Sequence, residues 1–323
     1  MNASESRSRA LLSLAASMFA FGTIGIFRRQ IPLSSGLLAF VRGLLGGSFL
    51  LLLQLVKNRG SVLPAKESSS AIVPAQENST SGSPARESSS VLSAFGGRKR
   101  LALLILSGAF IGFNWILLFE AYNYTTIATA TLCYYMQPAL VVIGAAVLFR
   151  EALPPAKLLC VLLAFAGMYL VSGAAENGIP GPGELKGVLF GLGAAVLYAA
   201  VVLLNKGIGG IDPYKKTTVQ LFSAAAVLFP WLLVTGGFSS VHLTVTSAAL
   251  LLIVCIVHTG FCYALYFGAL EKLPSHTAAL FGYIDPVTAI LLSALLLGEH
   301  LTLHGILGTI LILGSTLTAE LLF

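Results

Sequence analysis

Charge is what this sequence has least of. Only 10% of its 323 residues are Asp, Glu, Lys or Arg, whereas 56% are hydrophobic. A soluble domain carries about 25% charged residues, so a chain this poor in charge excludes an ordinary aqueous surface and points to lipid as solvent. Motifs are missing as well. There is no Gly-Lys phosphate loop, no His-Glu-x-x-His and no Gly-x-Ser-x-Gly, which argues against ATP-driven pumping and against the commoner hydrolases. Cysteine is scarce, and Cys133, Cys160, Cys255 and Cys262 all fall inside apolar runs without metal-ligand spacing. They read as packing residues, and neither a disulfide framework, a metal site nor a bound cofactor is expected. The net charge of +6 is not arranged as a basic stretch among aromatics, so nucleic acid is not an expected partner.

What is present is a succession of long apolar runs. Crossing ~30 Å of hydrocarbon takes roughly 20 residues. Candidate spans are 10–27, 36–56, 101–120, 127–149, 156–173, 185–205, 217–235, 248–270, 276–297 and 303–321. Breakers or charges mark the joints, among them Pro32, Pro154, Pro155, the stretch from Gly178 to Gly183, and Pro213. The first run follows Arg7 and Arg9 as a signal peptide would. It is longer than a signal core, and Arg28 and Arg29 stand where small residues would be cleaved, so it is read as a retained span. The expectation is an all-α integral membrane protein of ten transmembrane helices.

Orientation follows from the basic residues. With the N-terminus in the cytoplasm, fifteen Lys and Arg fall on inner segments and three on outer ones (Arg28, Arg29 and Lys186). Arg42 alone lies within a span. The expected location is the cell membrane, with both termini inside. Loop 58–98 is the one polar stretch of any length, and it holds a ten-residue repeat starting at Pro64, Pro74 and Pro84. Its composition cannot bury enough apolar surface to fold, so a disordered cytoplasmic linker is expected. The sequon at Asn78 is expected to go unused there.

A larger repeat is more informative. Shifted by 148 residues, 121–170 lies on 269–318 without a gap. Thr129 and Ala130 meet Thr277 and Ala278, Tyr135 meets Tyr283, Pro138 meets Pro286 and Glu151 meets Glu299. Apolar composition alone does not align a mid-span proline and a terminal glutamate at one offset. The expected division is 1–173 as a first five-helix repeat and 184–323 as a second. Five is odd, so the second copy enters the membrane upside down. Inverted repeats suit alternating access, with the site near the midplane.

The run from Tyr124 to Pro138 (YTTIATATLCYYMQP), Phe149 to Glu151 (FRE), Phe281 to Pro286 (FGYIDP), Leu297 to Glu299 (LGE) and Gly305 to Gly314 (GILGTILILG) carry a family resemblance. Outside loop 58–98 the chain resembles the EamA family of the drug/metabolite transporter superfamily. The resemblance implies ten helices in two inverted five-helix bundles around a cavity lined mainly by spans one to four and six to nine. It further implies export of amino acids or related metabolites. A nucleotide-sugar or phosphorylated-metabolite antiporter is the alternative, ranked lower because two phosphates would favour more than one in-span arginine. An intramembrane enzyme, with His258 and Asp285 as an acid/base pair, is the reading from another class, and it lacks a nucleophile.

Ionisable groups inside spans are expensive, so each is a candidate. The planar fork of Arg42 suits a carboxylate. Its other readings are a structural pair with Glu120, or snorkelling to the outer interface. Asp285 precedes Pro286 and matches Gln137, which precedes Pro138. Each proline removes a backbone hydrogen bond and is expected to kink its helix. Asp285 reads first as a packing or gating residue and second as a proton carrier. His258 is either a proton relay or a buried neutral ring. Asn114, Trp115, Tyr134, Tyr135, Tyr263 and Tyr283 are candidate lining of a substrate cavity, or interhelical packing. Glu120, at the outer end of span three, is a further candidate. Glu151 and Glu299 are explained by capping of the helix that follows each of them. A small-molecule substrate is the expected partner, with coupling to protons in view.

Overall fold

The computed structural model describes residues 3–60, 97–151, 153–172, 174–177, 181–208, 210–238, 243–270, 272–273, 275–299 and 302–322. Nearly all of loop 58–98, with its ten-residue repeat, lies outside them. The described residues form helices joined by short turns. Helices satisfy their own backbone groups, which lipid cannot do.

The spans are Ala3–Arg29, Ser35–Gly60, Arg98–Tyr124, a broken fourth (Ile127–Tyr134 and Gln137–Phe149), Pro155–Val171, Pro182–Lys206 and Pro213–Val234. An eighth in three pieces follows (Val245–Leu252, Ile253–Phe261 and Cys262–Leu270), then a broken ninth (Ser275–Gly282 and Ile284–Leu297) and Leu303–Leu322. Eight are long and apolar enough to cross a membrane; the fifth and tenth are shorter apolar helices. This is a ten-span all-α bundle. Parity places Arg29 and Glu299 at one end, here the far end. Glu151 and Lys206 stand at the other, the near end, where both termini lie.

Local chemistry sets the boundaries. The seventh span starts at Pro213 rather than at 217, because the Asp212 carboxylate accepts the Lys215 N–H at 3.0 Å and Pro213 takes the first helical position. Thr126 caps the fourth span by accepting the Thr129 N–H at 3.0 Å. The third span runs one turn past 120, to Tyr124.

The continuous fourth and ninth spans expected from hydropathy are each interrupted, after Tyr134 and after Gly282. Their second halves open with Pro138 and Pro286 in the first turn. A proline leaves the carbonyl four residues earlier without its N–H partner. For Pro286 that carbonyl is Gly282, and the Tyr135 hydroxyl of the fourth span donates to it at 3.3 Å. The break in one half is therefore stitched by the matching tyrosine of the other. The repeat extends to the backbone: Arg150 (φ 56) and Gly298 (φ 66), 148 residues apart, both end their helices in the left-handed conformation.

Packing follows the same pairing. The third span packs on the sixth as the first does on the eighth, the seventh on the third as the second does on the eighth, and the first on the ninth as the fourth does on the sixth. The fifth and tenth spans pack on each other. In the far half they cross at Gly167 and Gly308, where a Cβ on either would stand within 2.7 Å of the other's carbonyl oxygen. Small residues permit that approach where lipid gives no hydrophobic drive between helices.

Candidate functional site

A π-helical segment, Ile253–Phe261, gives the eighth span its role at the centre of the bundle. Wider turns of this kind rotate the side chains that follow and recur at functional sites. Here they direct two adjacent residues at two different neighbours. His258 reaches the first span, with Nε2 2.7 Å from the Thr23 hydroxyl, and its ring meets Phe27 edge-on with centroids 4.9 Å apart. Thr259 reaches the second span, where its hydroxyl accepts from Arg42 Nε at 2.7 Å.

Arg42 is 4% exposed. Its guanidinium carbon lies 4.1 Å from the centroid of the Trp115 ring and 5.8 Å from that of Phe119. A guanidinium over an indole face in a water-poor interior gains about 2 kcal/mol. The face and the Nε edge are thus both engaged. Among the described residues Nε makes the one hydrogen bond of this side chain, so both Nη groups remain uncommitted. Of the alternative readings, neither a pair with Glu120 nor snorkelling is found: the side chain is buried, and among the described residues it bonds Thr259. Glu120 instead accepts from Asn123 Nδ2 at 3.2 Å near the far end, four residues from the end of its helix. Burial and the ring stack hold Arg42 between the second, third and eighth spans.

Asp285 is the acidic counterpart. It sits two residues past the break in the ninth span, within side-chain reach of Tyr135 and within electrostatic range of Arg42. Tyr122, Tyr134, Tyr198 and Tyr263 lie in its field as well. The aromatic rings form two groups: Tyr134 meets Tyr198 at 5.7 Å and Tyr135 at 6.0 Å, and Tyr263 meets Phe21 at 5.4 Å. Gln137, the match of Asp285, keeps its Oε1 buried without a partner.

Two candidates point elsewhere. Asn114 donates to the Ala194 carbonyl and clamps the third span to the sixth. The Tyr283 hydroxyl donates to Thr316 Oγ1 of the tenth span at 3.0 Å. Thr23, Tyr122, Tyr198 and Thr259 belong to the centre without having been singled out from sequence. Only their partners in space distinguish them from other in-span Thr and Tyr residues.

A cavity of about 360 Å³ opens in the near half, lined by residues of the fourth, fifth, sixth and tenth spans, including Gln137, Cys160, Tyr198 and Ser315. Offset by 148 residues, Cys160 and Ser315 correspond to Gly308 and Gly167, the pair at which the fifth and tenth spans cross in the far half. Polar contacts tie the spans together at the far end. Arg28 donates to the Ile31 carbonyl and the Ser35 hydroxyl, both at 3.1 Å, and Arg29 donates to the Thr125 carbonyl at 3.2 Å. Glu299 Oε2 accepts the Ile127 N–H at 2.8 Å, while Oε1 stands 2.7 Å from Arg29 as a charge contact outside hydrogen-bond alignment. Glu299 therefore caps a helix, as expected, but the fourth span of the other repeat rather than its own successor.

Comparison with known proteins agrees with this architecture. Uncharacterized transporter YxxF of Bacillus subtilis (strain 168) is 29% identical over 319 residues, covering 98% of this chain and 91% of that protein. Protein RarD of Salmonella typhi is 26% identical over 203 residues, covering 62% of this chain and 66% of that one. A crystal structure superposes with a TM-score of 0.61 at 17% identity, covering 98% of this chain and 97% of that one, which speaks to the fold. The profile of the EamA-like transporter family matches residues 8–173 and again 185–319. Both halves of this ten-span bundle carry the match, and the chain belongs to the EamA-like transporter family.

Proposed function

We propose that this chain is a secondary transporter that exports amino acids or related small metabolites across the cell membrane by alternating access, with both termini in the cytoplasm. The carrying observation is the placing of one cation and one acid at the centre without direct contact between them. Arg42 is fixed by Thr259 and Trp115 with its Nη groups uncommitted, and Asp285 stands within electrostatic range. A planar fork takes a carboxylate in two parallel hydrogen bonds, and a carboxylate opposite it takes an ammonium group. Tyr135, Tyr198 and Tyr263 supply amphipathic walls for the remainder of the substrate.

Inversion of the two repeats is part of this reading. It is supported by the matched breaks, the matched left-handed helix ends and the reciprocal packing of spans. The arrangement with the near half open is then one of two related packings, the inward-facing one. The excess of Lys and Arg on the near-end segments supports a cytoplasmic near end. His258 and Asp285 are the groups proposed to answer to a proton gradient.

The test is flux of a mixed metabolite pool into proteoliposomes, read by mass spectrometry with and without a pH gradient. Accumulation of an amino acid, abolished by Arg42→Ala in a protein that still folds, supports the proposal. Exchange of a phosphorylated compound without amino-acid flux replaces it with the antiporter reading.

A further inference from the structure

Glu299 and Glu151 occupy equivalent places in the two halves, and the structure treats them differently. Each follows a residue in the left-handed conformation, Gly298 and Arg150, that ends the preceding helix. Each stands beside the cation that ends a neighbouring span: Arg29 ends the first, Lys206 the sixth. Glu299 is deep, its side chain 9% exposed, and it reaches across to the first residue of the fourth span. Glu151 is 42% exposed and is turned to Lys206 at the surface of the near end.

The 148-residue offset names the missing partner of Glu151. Glu299 caps Ile127, the first residue of the half-helix Ile127–Tyr134. The matching half-helix is Ser275–Gly282, and its first residue, Ser275, is the match of Ile127. We infer that the two glutamates are alternating latches. Glu299 caps the fourth span and holds the far end shut when the near end is open. Glu151 caps the ninth span at Ser275 and holds the near end shut when the far end is open.

The physics favours this exchange. The first-turn N–H groups of a helix have no partner inside it, and the helix dipole favours a carboxylate there. A latch that rests on its cation in one state and gains a helix terminus in the other moves little and leaves no charge unpaired. Arg29 and Lys206 are the resting partners. The carboxylate adds one charge-assisted hydrogen bond in each closed state, enough to bias the populations without locking them. Glu299 bonds the Ile127 N–H at the end where Gly167 and Gly308 cross, and Glu151 lies at the end where the cavity opens past Cys160 and Ser315.

This rests on the alternating-access reading, and its test reads conformation rather than flux. In lipid nanodiscs, a polar maleimide reports the near side through Cys160, with the other three cysteines replaced by serine. It reports the far side through Thr131→Cys, one turn below the Ile127 cap, with all four native cysteines replaced. Glu299→Gln is expected to speed far-side labelling about fivefold, the value of one terminal carboxylate–helix interaction, and to slow labelling of Cys160. Glu151→Gln is expected to do the reverse, lowering far-side labelling below that of the parent. Should Glu299→Gln fail to fold, Glu299→Asp must show the same signs at smaller amplitude. Shifts of one sign in both variants, or none in either, overturn the latch. Metabolite flux measured on the same proteins separates the two ideas. Flux with static reporters removes the latch alone, while static reporters without flux of any metabolite remove alternating access beneath it.

Discussion

Arg42 lies with its guanidinium carbon 4.1 Å from the centre of the Trp115 ring, a cation held against the third span by an aromatic face rather than by an acid. No counter-ion competes for its Nη groups among the described residues, so the stack determines where the fork points. Trp115→Ala is expected to remove about 2 kcal/mol of that hold and lower transport ten- to thirtyfold. Trp115→Phe should lose several-fold only. Arg42→Lys should be nearly as inactive as Arg42→Ala, because an ammonium offers no planar pair of donors. Initial flux rates in proteoliposomes, corrected for folded protein, decide this. Full activity in Arg42→Lys would show that charge alone suffices.

One turn along the same span, Gly46 sits against the threonine that pins Arg42. A Cβ at Gly46 would stand 2.5 Å from Thr259 Cγ2 and 2.9 Å from its Cβ. Gly46→Ala therefore pushes the eighth span away and draws the hydroxyl from Arg42 Nε. The expected cost is about 1–3 kcal/mol of stability, as for other overpacked interiors, with transport reduced alongside it. Adding Thr259→Ser removes Cγ2 and keeps the hydroxyl, so the double variant should regain most of both losses. Thermal unfolding in detergent together with flux reads the outcome. A double variant no better than Gly46→Ala would place the damage elsewhere.

How much of this could be read in the sequence depends on distance along the chain. The spans, the 148-residue offset and Pro138 with Pro286 are local or periodic signals, and they led to the bundle. The breaks at Tyr134 and Gly282 were half legible. Proline announces a lost hydrogen bond, but a helix that halts four residues before it, with the Gly282 carbonyl bonded by Tyr135 of the facing repeat, is not written in the local sequence. Partners of the candidate residues were not legible. Thr259 is 217 residues from Arg42, and one threonine in a span looks like another. Glu120, offered as one alternative partner of Arg42, accepts from Asn123 instead. The π-helical segment has no composition of its own that separates it from ordinary helix.

Arg150 offers a test of the repeat at the level of the backbone. It ends the fourth span at φ 56, where its match Gly298 has φ 66. A side chain in the left-handed region costs about 1–2 kcal/mol that glycine avoids. Arg150→Gly should therefore be neutral to stabilising by about 1 kcal/mol, despite the loss of an exposed charge. Gly298→Ala should be destabilising by a similar amount. Melting temperatures of the two variants in one detergent compare them directly. If Arg150→Gly lowers stability, the Arg150 side chain is holding that end of the helix in place.

The last prediction concerns the hydrogen-bonded link between His258 and Thr23 of the first span. The Thr23 hydroxyl stands 2.7 Å from the Ala20 carbonyl and 2.7 Å from His258 Nε2, while Nδ1 faces the Ile253 carbonyl at 3.3 Å. A hydroxyl has one proton. If it donates to Ala20, Nε2 must carry a proton and donate to Thr23. If Thr23 donates to Nε2 instead, Nδ1 carries the proton and bonds Ile253, and the Ala20 carbonyl gives up its extra donor. The neutral ring satisfies one arrangement at a time, whereas the doubly protonated ring satisfies every contact at once. In either neutral form Thr23 and His258 act as a unit joining the first and eighth spans. Thr23→Val and His258→Gln are each expected to cost about 1 kcal/mol, and the pair no more than the larger single loss, since hydrogen-bonded partners do not add. Thr23→Ser should behave as the parent does. A double-mutant cycle on unfolding midpoints, run beside flux at two pH values, measures the coupling. Simple additivity would mean that the contact carries no energy and that His258 is held by Phe27 and the π-helical turn alone.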